Sequence, residues 1–499
     1  MLPDQRAEKL QLALAIKKDG YDGWVHAKTF VLDTETPVSL FLKLRDISPV
    51  GCLLESVEGG EFWARYSFIG VGFRWILRAK DRLVEIETPE GGGRCFEGEA
   101  LDALKERVLD KRVYRQGDLP PFFGGAIGYL GYDSVRRFER VPDLGKPRLD
   151  PFDAHFFFPK VLIAVDRFRY AFTLMAYVDL NAFDLEAEVC RAHEAIEQIE
   201  DLVFTKVVPS VRMDGFEGFK EKTFELTGSV SPDAYRTWIL KAKAYIEAGD
   251  IIQVVPSRRF HTPFKADPFA LYRVLRLLNP SPYMFYLQNG SETVVGSSPE
   301  VLVRVSEGRV LTRPIAGTRR RGRNQDEDIR LERELLGDTK ERAEHLMLVD
   351  LARNDVGRVA GVGSVRVSQF MHIERYSHVM HIVSDVIGTL KNGLGPLDAL
   401  RACFPAGTLT GAPKVRAMEI IEELEAHRRG IYGGCVGYVG FGGALDMGIT
   451  IRTAWIRGDT AYFQAGGGIV ADSDPASEED EVKNKAMAMA QAIAIATNA

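Results

Sequence analysis

The sequence predicts an α+β fold, with strands and helices gathered into separate runs rather than strictly alternating. Three observations carry this. Residues 1 to about 200 read mainly as short strands and turns. Helical patterns concentrate around residues 326–354 and at the C-terminus, and the strands after residue 434 are short runs cut by glycines.

In chain order, Phe62–Ile69, Gly72–Leu77 and Val161–Asp166 read as strands and Leu185–Leu202 as a helix. From Val203 to Pro232 the periodicity is lost, which marks a linker. Pro232–Ala248 reads as a helix ended by Gly249, with a strand following at Ile251–Val255. The run Arg313–Arg323 packs five arginines around a small-residue turn, Ile315–Thr318. Helices then follow at Asp326–Leu336 and from Asp338 to about Asn354, where Asp338 and Glu341 have capping-box spacing. Gly411–Pro413 opens a helix that Gly430 ends. Strands come next at Gly434–Phe441, Gly448–Ile456 and Ala461–Gln464, and a closing helix starts near Pro475. The chain thus divides into an N-terminal domain at 1–205, a linker at 206–232 and a second domain at 233–499.

A chain of 499 residues, 45% hydrophobic and 27% charged, is ordinary for a globular protein with a large core. Its net charge of −6 gives no general attraction to nucleic acid or to anionic membrane. Cys52, Cys95, Cys190, Cys403 and Cys435 are scattered without a CxxC pair, against a disulfide framework or a zinc site. No stretch is apolar enough to span a membrane, and the first residues lack a signal-peptide pattern. A cytoplasmic location is expected, with no membrane or nucleic-acid partner. The arginine run is the one feature that favours nucleic acid, but Asp326, Glu327 and Asp328 follow at once without neighbouring aromatic residues to stack on bases.

Several patterns are chemically suggestive. Glu341 with Glu344, and Glu478 with Glu481, put paired carboxylates on one face of a helix. Two such faces meeting make an oxygen-rich site for a hard cation, although each is also an ordinary solvated face. Lys485 falls on the face of Glu481. Gly407–Lys414 is a glycine turn entering a helix, suited to an anion or simply to capping. Gln464–Ile469 is a second candidate anion turn or a plain hairpin. Gly433–Gly437 fits a G-x-C-x-G nucleophile pattern, but a strand follows where a nucleophile elbow needs a helix. His345 and His381 are the histidines in the most motif-like surroundings, and a lone histidine on an apolar strand is more often structural.

Taken together, Gly249–Ser257, Gly296–Glu300, Arg313–Thr318, Lys340–His345, Val349–Asp355, Val379–Ser384, Gly407–Lys414 and the Glu478–Lys485 helix resemble the chorismate-utilising enzymes. Within them the chain is most similar to the large, aminating subunits of anthranilate synthases. Leu53–Ser56 and Gly124–Tyr129 extend the resemblance more thinly into the first half.

The resemblance implies a four-layer α/β/β/α fold with two large orthogonal antiparallel sheets. It implies conversion of chorismate and ammonia to anthranilate and pyruvate, with Mg²⁺ as cofactor. By similarity Glu344 and Glu481 are the metal ligands, supported by Glu341 and Glu478; Glu300, His381 and Thr408 are catalytic. Gly317, Thr318, Tyr438, Arg452, Gly466, Gly467, Gly468 and Lys485 bind substrate. Relatives that add water carry Lys where Gln253 stands, and those making 4-amino-4-deoxychorismate commonly carry Lys in place of Ala316. Both positions favour direct amination over isochorismate or aminodeoxychorismate formation. Thr410, Gly467 and Val482 depart from commoner family residues without removing a charged group. Leu54, Glu55, Ser56, Asn279, Pro282, Tyr283 and Met284 look like a tryptophan inhibitor site. The expected partners are a separate glutamine amidotransferase subunit supplying ammonia, in a heterotetramer of two large and two small subunits, and tryptophan as feedback inhibitor.

Overall fold

Two twelve-stranded sheets lie face to face in the computed structural model, which describes residues 3–57, 65–89, 91–208, 226–376 and 379–498. The first runs, edge to edge, Thr227–Gly228, Ser257–Pro263, Thr460–Gly466, Thr453–Arg457, Glu292–Ser298, Tyr283–Asn289, Val50–Glu55, Tyr66–Val71, Val161–Asp166, Ala171–Asp179, Gly23–Val31 and Val113–Tyr114. The second runs Ile315–Arg320, Val379–Thr389, Arg309–Thr312, Val301–Ser306, Leu445–Ile449, Cys435–Gly440, Gly125–Leu130, Ala154–Phe158, Trp75–Lys80, Leu83–Glu87 and Gly93–Glu97, with Arg366–Arg375 also paired to Val379–Thr389. Within these sheets only the short pair of Gly23–Val31 with Val113–Tyr114 is parallel.

Alternation along the strands explains the layering, because successive side chains point to opposite faces. Phe285, Leu287 and Val294 of the first sheet share one core with Tyr129, Phe156 and Val303 of the second. The other face of the first sheet is covered by helices that include Pro3–Lys18, Leu185–Thr205, Pro232–Glu247, Pro268–Leu278 and Pro475–Asn498, through Trp24, Phe260, Phe269, Tyr272 and Ile493. Helices Thr339–Gly357 and Pro396–Cys403 cover the second sheet. The fold class is the expected α+β, in four layers.

Residues 1–205 and 233–499 each contribute strands to both sheets, so the two segments are interleaved. Of the expected linker, residues 209–225 lie outside the described residues, as do 62–64 of the expected strand Phe62–Ile69; the observed strand is Tyr66–Val71. Gly72–Leu77 shifts to Trp75–Lys80, while Val161–Asp166 is found as expected. Helices Pro3–Lys18 and Pro37–Leu44 were not expected; the second has a capping box, in which Thr36 and Ser39 exchange backbone bonds. Ile251–Val255 contracts to Gln253–Val254.

Three departures concern the site. Arg313–Arg323 holds a strand, Ile315–Arg320, rather than a free turn. The helix opened at Lys414 ends at Leu424, not Gly430, because Glu425 turns extended and its carboxylate is buried against Arg429. Gly448–Ile456 breaks into Leu445–Ile449 of the second sheet and Thr453–Arg457 of the first, with Arg452 in the left-handed region at φ 48°. Glu300 occupies a matching crossover, between Glu292–Ser298 and Val301–Ser306. The two crossovers lie side by side: Ile449 N–H donates to the Glu300 carbonyl at 2.9 Å, and Ser297 N–H to the Arg452 carbonyl at 3.2 Å.

Candidate active site

The crossover fixes an acid. Pro299 ends the strand before it, and Glu300 turns inward with only 8% of its surface exposed. The Thr408 hydroxyl donates to Glu300 Oε1 at 2.9 Å. Thr408 lies on a 3₁₀ turn that needs Gly407, since a Cβ there would fall 1.9 Å from Leu351 of the helix Thr339–Gly357. Burial pushes the Glu300 carboxyl up to about 8, against the opposing pulls of the Thr408 bond and the Arg452 charge. A carboxyl in this state keeps its proton at neutral pH.

Opposite stands a neutral base. Thr318 and His381 are register partners on adjacent strands. The pairing bulges at Gly317, whose φ of 69° suits glycine and whose carbonyl accepts from His381 Nδ1 at 3.0 Å. Thr318 Oγ1 lies 3.1 Å from the same nitrogen. With its proton on Nδ1, the ring presents an Nε2 lone pair. Burial, helped by the Arg452 charge, holds this imidazole below its ordinary range.

Arg452 carries the positive charge of the site. Among the described residues no carboxylate lies within 4 Å of its guanidinium to form an ion pair, and surrounding protein lowers its pKa by desolvation. A planar, unspent guanidinium in a strained left-handed position suits a carboxylate ligand. The Gly466–Gly468 turn is packed closely by the protein itself. A Cβ on Gly466 would meet the Pro256 carbonyl at 2.8 Å and the Tyr432 hydroxyl at 3.0 Å, and one on Gly468 the Gln253 amide at 2.4 Å.

Four carboxylates border this centre. A Cβ on Gly317 would lie 3.2 Å from Glu341 Oε2, and one on Gly467 would lie 3.3 Å from Glu478 Oε2. Burial and then the charges of Glu341 and Glu481 raise the Glu344 carboxyl; burial and Glu481 raise that of Glu478. Among the described residues no three acidic, histidine or cysteine side chains close on a single point. Two cations hold the outer carboxylates instead: Lys485 pairs with Glu481 at 2.7 Å and Arg319 with Glu341 at 3.0 Å. Lys485 also reaches the Gly466 carbonyl at 3.2 Å. An all-oxygen donor set with excess negative charge fits a hard divalent cation.

Tyr438 is not in this group. Its ring stacks on Phe122 at 4.1 Å and meets Phe68 edge-on at 5.7 Å, and its strand partner is Asp446. There Tyr283 donates to Asp446 at 2.6 Å and Arg304 pairs with the same carboxylate. It is the Tyr432 hydroxyl, rather than that of Tyr438, that borders the Gly466–Gly468 turn. The two lie six residues apart in one glycine-rich run, and only the strand register separates them.

Tyr283 belongs to the expected regulatory set, and through Asp446 it neighbours Tyr438. Leu54 pairs with Phe285 and Glu55 with Met284, while the Ser281 carbonyl accepts from Val57 N–H at 3.2 Å. Ser56 is 9% exposed and its carbonyl accepts from Arg167 at 3.0 Å. Glu55 turns to the other side of the sheet, where Tyr272 and Arg276 hold it. Asn279 contributes its carbonyl to Ser297 and Ser281, Pro282 is half-buried, and Met284 is buried.

Other candidates resolve structurally. Lys414 is consumed by Asp355 at 2.7 Å, so it is not a free anion ligand. His345 is fully buried beside Ser384. Cys435 is buried within its strand and burial pushes its thiol up, which no nucleophile would want. Arg313 pairs with Glu374 and Asp385, Arg320 with Glu327, and Arg321 with Asp328. Arg320 and Arg321 thus pin the following helix, while Arg313 holds the neighbouring strands.

Comparison with known proteins shows the family. The family model described as chorismate binding enzyme matches residues 61–491. Anthranilate synthase component 1 of Aquifex aeolicus (strain VF5) is 48% identical over 470 residues, covering 93% of this chain and 94% of that protein. The protein of the same name from Pseudomonas aeruginosa is 45% identical over 502 residues, covering 98% and 99%. The crystal structure of anthranilate synthase component I from Streptococcus pneumoniae TIGR4 superposes with a TM-score of 0.74 at 34% identity, covering 87% of this chain and 94% of that one.

Proposed function

The chain belongs to the chorismate binding enzymes, and from that premise we propose that it is the aminating subunit of an anthranilate synthase, making anthranilate and pyruvate from chorismate and ammonia at the start of tryptophan synthesis. The observation that carries this reading is a buried Glu300 carboxyl held by Thr408, with no lysine base at Gln253 to activate water and no amine nucleophile at Ala316. Names of relatives at 45–48% identity support the same choice among chorismate chemistries.

Arg452, the Gly466–Gly468 turn and the Tyr432 hydroxyl receive the substrate carboxylates. Ammonia forms the new C–N bond at ring carbon C2, the ring double bonds shift, the C4–O bond breaks, and the new ammonium group loses a proton to solvent. Glu300 gives its proton to that oxygen, which departs as water. His381 Nε2 then takes the C2 proton as the ring becomes aromatic, and the enolpyruvyl group leaves, gaining a proton to become pyruvate. Glu344 and Glu481, supported by Glu341 and Glu478, would hold Mg²⁺, which when bound supplies charge neutralisation at the ring carboxylate. Ammonia is expected from a separate glutamine amidotransferase subunit in a heterotetramer, and tryptophan from the pathway end as inhibitor.

The inhibitor reading rests on proximity. Asp446, held by Tyr283, lies three residues before Ile449, whose N–H holds the Glu300 carbonyl. Tryptophan between Ser56, Tyr283 and Tyr438 would act on the strand that positions the acid, coupling the two sites. Ser56→Phe is expected to relieve tryptophan inhibition more than it harms turnover, read as a rightward shift of the inhibition curve; an unmoved curve removes Ser56 from the site. Tyr432→Phe should raise KM for chorismate severalfold, whereas Tyr438→Phe should leave KM unchanged and weaken inhibition. The reverse pattern in steady-state kinetics would restore Tyr438 to the substrate site.

Incubating the chain with chorismate, Mg²⁺ and ammonium at a pH of about 8, where free ammonia and protonated Glu300 coexist, tests the reading. Equal amounts of anthranilate and pyruvate are expected. Isochorismate or a non-aromatic amine as the product would refute it.

A further inference from the structure

We infer that Arg429 is a positioning residue for this reaction: its guanidinium fork sets the spacing between the Glu300–Thr408 pair and the carboxylate-binding turn. The proposal rests on the function proposed above. It starts from a side chain with 1% exposure whose donors go to three different segments. Nη1 donates to the Leu409 carbonyl at 2.6 Å, one residue beyond Thr408. Nη2 donates to the Val255 carbonyl at 2.6 Å, two residues beyond Gln253. Nε and Nη2 both reach Glu425, the latter at 2.6 Å.

The fork is also packed between rings. Its central carbon lies 4.6 Å from the Tyr132 centroid and 5.7 Å from that of Tyr432, whose hydroxyl borders Gly466. Glu425 accepts from Ser257 N–H and Oγ, each at 2.8 Å, and Ser257 is the strand partner of Gly466. One planar cation therefore reaches the acid loop, the Gln253 segment and the glycine turn. Lysine cannot reproduce this, because a single ammonium has no rigid fork. A cavity lined by Asp150, Arg259, Tyr432, Trp455 and Gln464 runs alongside, so a loosened fork admits water.

Misplacement of reacting groups by about 1 Å costs about 100-fold in rate. Arg429→Lys, assayed per folded enzyme, is therefore expected to lose kcat by about 100-fold. It should also move the alkaline limb of the pH profile, which reports Glu300 with its two charged or polar neighbours, Thr408 and Arg452, to lower pH as water reaches the acid. Glu425→Asp, which only retracts the counter-charge, should show the same change at about tenfold and carries the test if the lysine variant does not fold. Arg74→Lys is the control, since Arg74 is another part-buried arginine, donating to the Tyr177 carbonyl and to Glu188 outside the Arg429 network. It should lower Tm while leaving kcat and the pH limb in place. If Arg429→Lys and Glu425→Asp behave like the control, Arg429 is structural only and the proposal is overturned. Failure of the wild-type chain to form anthranilate would instead refute the function on which it rests.

Discussion

Glu300→Gln is expected to lower kcat by about 1,000-fold, within the range that general acids contribute. The amide keeps the shape of the carboxyl and can still accept from Thr408, so the fold and the 408 turn should persist. What it loses is the proton for the departing C4 oxygen. Stability should move the other way. The folded carboxyl titrates near 8 against an ordinary value of 4.5, so the folded state binds more protons than the unfolded one between these limits. Stability from this group is therefore lost as pH rises through that window. Above it, Glu300→Gln should melt higher than the wild type; below it, the two should coincide. An inactive but more stable variant would show that the acid is held at a stability cost for the sake of chemistry. A variant of normal activity would remove Glu300 from the mechanism.

The second large effect is expected at the carboxylates. Glu344→Gln and Glu481→Gln should each abolish Mg²⁺-dependent turnover, by 100-fold or more on the order of a lost metal ligand. Each should also weaken Mg²⁺ binding measured by calorimetry without substrate. The charges of Glu341 and Glu481 both repel that of Glu344, whose carboxyl is raised by burial and then by these two neighbours. Removing one charge should therefore leave thermal stability unchanged or raised. Full activity in either variant would refute the ligand assignment, and loss of activity together with loss of fold would make these residues structural.

Much of this site was legible because its chemistry lies in short local runs. The Gly407-Thr408 turn, the Ile315–Thr318 turn and the paired glutamates stand out as local runs, whereas Glu300 and Arg452 enter only through the resemblance; in the structure Thr408 bonds Glu300 and His381 bonds the Gly317 carbonyl. Register was not legible in the sequence. Tyr432 and Tyr438 are nearly equivalent as text, but the strand begins at Cys435 and carries Tyr438 into the space between the sheets. The break at Arg452 was equally hidden, because Gly448–Ile456 is apolar throughout and only tertiary pairing divides it between two sheets. Arg429 escaped notice for a related reason: an arginine beside Arg428 and Gly430 reads as surface charge, and its partners lie 4, 20 and 174 residues away. The helices at Pro3 and Pro37 were missed where strand-like stretches dominated the reading; the capping residues Thr36 and Ser39 were the available signal.

The protonation of Glu300 is the centre of this account, and it can be observed without turnover. Infrared difference spectra between the wild type and Glu300→Gln isolate the carboxyl stretch of this one residue. A band for the neutral carboxyl is expected at neutral pH, disappearing as pH passes about 8. A carboxylate band already present at neutral pH, titrating in the ordinary range near 4.5, would contradict the account.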